Sequence, residues 1–65
     1  MATAPSGGGE IFVEFIVQGT VVKVTALDSK SGIEASIVGP ANASRAALQD
    51  AAVRKLDYVM KKQRG

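Results

Sequence analysis

The sequence predicts an α+β fold: a three-stranded antiparallel β-meander with one C-terminal helix packed on one face, in the order β-β-β-α. Three observations carry this. Apolar residues alternate with period two in three successive stretches between Glu10 and Val38. Gln18-Gly19 and Asp28-Ser29-Lys30-Ser31-Gly32 separate those stretches with turn residues. Beyond Gly39-Pro40 the apolar spacing changes from two to that of a helix.

Residues 1–9, MATAPSGGG, read as a disordered leader. They lack the basic start and apolar stretch of a signal peptide. Residues 10–65 then form the single β-β-β-α domain. In the first strand Ile11, Val13, Phe15 and Val17 share one face; Phe12, Glu14, Ile16 and Gln18 share the other. The second strand runs from Thr20 to about Leu27, with Val22, Val24 and Ala26 on the inner face. A two-residue loop at Gln18-Gly19 predicts that Val17 pairs with Thr20. Phe15 then faces Val22, Glu14 faces Lys23, and Ile16 faces Val21.

Gly32 is expected to supply the left-handed residue of the second turn. The third strand is expected over Ile33–Val38, its register against strand two open by a shift of two. Gly39-Pro40 is expected to end it. Asn42 or Ser44 is the expected N-cap of a helix from Ala43 to about Lys62. Leu48, Ala51, Ala52, Leu56, Val59 and Met60 form its apolar stripe, and Ala47, Ala51 and Ala52 are small enough to admit a close approach to the sheet. Lys55 falls inside or at one margin of that stripe, its stem expected over the sheet edge. Tyr58 is expected at the other margin, capping the core.

The chain has 65 residues, 46% of them hydrophobic and 22% charged, which is a globular composition. It contains no Cys and no His, which removes disulfides, thiolate chemistry and the commonest general base. The longest uninterrupted apolar runs are three residues, as at Ile11–Val13, so no membrane-spanning helix is expected. Cytoplasmic localisation is the expectation, since nothing directs export. Charge is uneven. Lys23 and Lys30 stand against Glu10, Glu14, Asp28 and Glu34, giving −2 over residues 1–42. Arg45, Arg54, Lys55, Lys61, Lys62 and Arg64 stand against Asp50 and Asp57, giving +4 over residues 43–65.

No catalytic constellation emerges, and neither a cofactor nor a metal is expected. Ser29 and Ser31 beside Lys30 read as turn chemistry, and Glu14 and Glu34 as a solvated charge ladder. Gly7-Gly8-Gly9 lacks the Lys-Ser/Thr of a phosphate loop and precedes a strand. The strongest signal is the outer sheet face, where Phe12, Ile16, Val21, Leu27 and Val38 point away from the helix. The expected function is therefore a non-enzymatic protein-interaction module acting through that face. A protein partner, or a homodimer packed face to face, would cover it. The alternative is a nucleic-acid-binding module using Arg54, Lys55, Lys61, Lys62 and Arg64. The scarcity of stacking aromatics disfavours it.

Residues 10–62 also resemble a small family of uncharacterised bacterial proteins, mostly alphaproteobacterial. The likeness is carried by EIFVEFIVQG in strand one, SGIEASIVGP around strand three and AALQDAAVRKLDYVMKK in the helix. The resemblance implies a domain of unknown function and adds no catalytic residue. Some relatives carry a transferred serine hydroxymethyltransferase label. A three-stranded meander with one helix has no room for the pyridoxal phosphate pocket that such an enzyme requires.

Overall fold

The computed structural model describes residues 10–64; the leader expected at residues 1–9 lies outside them. Strands β1 (Ile11–Gln18), β2 (Val21–Asp28) and β3 (Glu34–Pro40) are followed by helix α1 (Arg45–Arg64). The strands form one antiparallel sheet in the order β1-β2-β3. This is the β-β-β-α arrangement that the sequence predicts.

The first hairpin differs in register by two residues. Gln18 pairs with Val21, so the loop is Gly19-Thr20 rather than Gln18-Gly19. Gly19 has φ of 64°, and among the described residues no non-glycine has positive φ. That pattern suits a tight hairpin turn with glycine at its first central position. The alternative loop would have put Gln18 there, where a side chain is strained. Phe15 consequently pairs with Val24, Glu14 with Thr25 and Ile16 with Lys23. A shift of two preserves the faces, so the inward and outward sets are as expected.

At the second turn Gly32 has φ of 77°, the left-handed conformation expected of it. The Asp28 carboxylate closes this turn, accepting from the Ser31 backbone N–H at 3.0 Å and from Ser31 Oγ–H at 2.6 Å. These bonds, the hydroxyl's first, hold the Asp28 pKa below its ordinary 3.8. The residue exposes little surface. Its oxygens face the turn rather than the apolar interior, so hydrogen bonding outweighs desolvation. A depressed folded-state pKa contributes stability that is complete above the ordinary value and is lost as pH falls through the folded value. Thermal melts between pH 5 and pH 2 are therefore expected to show a steeper acid loss for the wild type than for Asp28→Asn. Parallel slopes would contradict the role given to this carboxylate.

Strand β3 continues through Gly39 and Pro40, where the sequence had predicted a break. Val22 pairs with Gly39 and Val21 with Pro40. Pro40 is tolerated because it closes an edge strand, where a missing N–H disturbs little. The β2–β3 register is fixed by Val24 opposite Ile37 and Ala26 opposite Ala35.

Ser44 is the N-cap: its Oγ accepts the Ala47 N–H at 3.3 Å and its carbonyl accepts the Leu48 N–H at 3.0 Å. Such a cap contributes about 1 kcal/mol. The helix packs mainly on β3 and β2. The core comprises Ile11, Val22, Val24, Ala26, Ala35, Leu48, Ala52 and Leu56. Leu48, Ala52 and Leu56 recur every fourth residue and set the buried line of the helix. Ala47 and Ala51 lie in solvent, so only Ala52 among the three alanines permits the close approach. Tyr58 is 62% exposed and caps nothing; the Lys62 ammonium sits 5.6 Å from its ring centroid. Phe15 is half-buried, roofed by the Arg45 guanidinium at 4.9 Å.

Candidate functional site: the outer sheet face

The helix occupies one face of the sheet and leaves the other open. Alternation places Phe12, Glu14, Ile16 and Gln18 of β1 on the open face. Beside them stand Val21, Lys23, Thr25 and Leu27 of β2, then Glu34, Ser36, Val38 and Pro40 of β3. The register arranges them in rows. Phe12 stands beside Leu27 and then Glu34. Glu14, Thr25 and Ser36 make a polar row, in which the Thr25 and Ser36 hydroxyls hydrogen-bond at 2.8 Å. Ile16, Lys23 and Val38 follow, then Gln18, Val21 and Pro40.

Four of the five expected residues are exposed: Phe12 at 41%, Ile16 at 40%, Val21 at 42% and Val38 at 66%. Leu27 is half-buried. Ile16 and Val21 are diagonal neighbours rather than a directly opposed pair, because Lys23 stands across from Ile16. The larger apolar cluster therefore lies at the Gly19-Thr20 end, with Ile16, Val21, Val38 and Pro40 around Lys23. A shallow concavity at the same end is lined by Val21, Val38, Gly39, Pro40 and Asn42 among others, none of which ionises. The open face thus offers apolar contact with one central cation and a polar row. Sequence reasoning missed Pro40 as a member of this face, because it placed Pro40 outside the strand.

Arg54, Lys55, Lys61 and Lys62 of the helix have other partners. Arg54 pairs with Asp50 at 3.0 Å and Lys61 with Asp57 at 3.2 Å, both exposed pairs one turn apart. Pairs of this kind contribute about 0.3–0.5 kcal/mol. Lys55 is exposed and donates from Nζ to the Ser36 carbonyl at 2.7 Å, on the rim of β3. Lys62 leans on Tyr58, and Arg64 is the last helical residue. Arg54 and Lys61 are thus each neutralised by a carboxylate on the same helix.

Among the described residues no group of three or more His, Cys, Asp or Glu side chains converges on a point. No helix among them is long and apolar enough to cross a membrane. Neither the curated proteins nor the solved structures contain a match to this chain. A family model does match, over residues 8–63, and the chain belongs to that family, the domain of unknown function DUF6898.

Proposed function

We propose that this domain is a non-enzymatic protein-interaction module, cytoplasmic in location, whose working surface is the outer sheet face. The observation that supports this reading is the exposure of Phe12, Ile16, Val21 and Val38 on the one broad face that the helix leaves uncovered. Four large apolar side chains exposed on one face of so small a domain mark it as a contact surface. The Glu14–Thr25–Ser36 row and Lys23 keep it soluble when free and give a partner polar points to register against. The partner's contact strip is accordingly apolar with a carboxylate placed to meet Lys23. Nucleic-acid binding is the weaker reading, since Arg54 and Lys61 are already paired with carboxylates.

A photoreactive side chain at Val38, used in the native cell, tests this. It is expected to yield protein adducts that disappear when Ile16→Glu is added. Ile16 lies on the far side of the sheet from the core, so the variant is expected to fold with a nearly unchanged melting temperature. Adducts that persist in Ile16→Glu, or adducts to nucleic acid, would contradict the proposal.

A further inference from the structure

The two edges of the sheet are built differently. Antiparallel pairing alternates between residues that exchange both backbone hydrogen bonds with the neighbour and residues whose N–H and C=O point the other way. The Ser29 N–H donates to the Glu10 carbonyl at 2.9 Å, which fixes the phase for β1. Phe12, Glu14, Ile16 and Gln18 are then the residues bonded to β2. Ile11, Val13, Phe15 and Val17 direct their backbone groups away from the sheet. On the other side the Asp28 N–H donates to the Ile33 carbonyl at 2.9 Å and the Ala41 N–H to the Thr20 carbonyl at 2.8 Å. That phase leaves Glu34, Ser36 and Val38 facing outward along β3.

The β3 edge is guarded. Lys55 reaches from the helix to bond the outward carbonyl of Ser36, Glu34 places a charge on the edge strand, and Pro40 has no N–H to offer. Lysine, charge and proline are the devices by which sheet edges are protected from pairing. The β1 edge has no lysine and no proline, and its single charge is Glu14. Ile11–Gln18 reads IFVEFIVQ, with one charge in eight residues and no proline. Its inner-face residues Val13 and Phe15 are only half-buried and Val17 is 57% exposed.

The geometry points to a second copy of this chain as the occupant of the β1 edge, paired antiparallel through β1 about a two-fold axis. The outward backbone groups belong to odd-numbered residues, which carry the inner-face side chains, so pairing odd with odd places the two helices on the same side of one six-stranded sheet. Closure selects a second copy over another extended segment: each β1 edge consumes the other, and the edges that remain are the two guarded β3 strands. A two-fold contact using one patch from each chain has this property.

The charge pattern selects the register. Centring the axis on Glu14 would place two carboxylates directly opposite each other, which is destabilising. Centring it on Phe15 avoids this and keeps nearly the full strand paired. Phe15 then exchanges bonds with Phe15 of the second copy, and Val13 with Val17 of the second copy. Glu14 stands beside Ile16 of the second copy, in the row that continues to Lys23. The dimer joins the two outer faces into one continuous surface, which extends the proposed contact face without depending on it.

Amide exchange on the full chain, read by NMR at about 20 μM and about 1 mM, tests this directly. In the free chain the Val13, Phe15 and Val17 amides exchange quickly while Glu14 and Ile16 are protected. At the higher concentration protection of Val13, Phe15 and Val17 is expected to rise roughly tenfold or more, as strand amides gain partners. Val17→Pro removes an outward N–H that β2 does not use. It is expected to abolish the concentration dependence while Glu14 and Ile16 stay protected. Unchanged fast exchange of Val13 and Phe15 in the wild type at the higher concentration would overturn the proposal. So would a dimer in sedimentation whose β1 amides remain unprotected, which would mean face-to-face association. Loss of photoadducts at Val38 bears on the outer face alone, so the two readings fail separately.

Discussion

Leu56→Ala is expected to destabilise the domain by about 2–5 kcal/mol, the range for removing a large buried aliphatic side chain. Leu56 is fully buried and, with Val24, is the largest side chain so enclosed. It lies one turn from Ala52 on the helix line that faces the sheet. Ala52, one turn before it, is too small to fill the space, and Met60, one turn after it, is the side chain best placed to offset part of the loss. A domain of this size has little stability in reserve, so the variant is expected to be largely unfolded at room temperature. Tyr58, two residues further on, is the control. Its side chain stands in solvent, and Tyr58→Ala is expected within about 0.5 kcal/mol of wild type. Urea titration with circular dichroism reads both.

Gly39→Val is expected to cost about 1–3 kcal/mol through overpacking. Gly39 lies on the helix-facing side of β3, and a Cβ built there would sit 2.6 Å from Leu48 Cδ2. Leu48 is buried against the sheet, so it can yield only by leaving its place in the core. The glycine therefore acts by the side chain it lacks: it lets the first turn of the helix settle on the end of β3. The cost should shrink in a Leu48→Ala background, where the clashing methyl is gone. A double-mutant cycle measures this coupling. Equal cost in both backgrounds would mean that Gly39 serves strand conformation instead.

The faces of the strands were legible because period-two alternation survives any error in register that is a multiple of two. The register of the first hairpin was not legible, because Gln18-Gly19 and Gly19-Thr20 are both acceptable two-residue loops by length. The conformational demand at the first loop position decides between them, and only glycine meets it without strain. Pro40 was misplaced for a related reason. Proline forbids a central strand, but the sequence does not say which strand is at the edge. Alanine misled the helix stripe: Ala51 and Ala52 look alike in composition, yet one is in water and the other is fully buried. The hydroxyls and carboxylate of the Asp28–Gly32 turn were read as turn chemistry, which they are. The asymmetry of the sheet edges was invisible, since it depends on strand order and on where Lys55 lands.

The outer face was legible as a set of residues but not as a surface. The correct register separates Ile16 from Val21 by one diagonal, inserts Lys23 among the apolar side chains and adds Pro40 to the cluster. Those changes alter the chemistry that the face presents without altering which way it points.

The central claim is that the sheet, and not the basic helix, is the working surface. In-cell photocrosslinking with the reactive side chain placed in turn at Val38 and at Tyr58 tests it most directly. Both positions are more than 60% exposed, so both report on contacts rather than on folding. Discrete protein adducts are expected from Val38 and none from Tyr58. Adducts from Tyr58 with none from Val38 would contradict the claim.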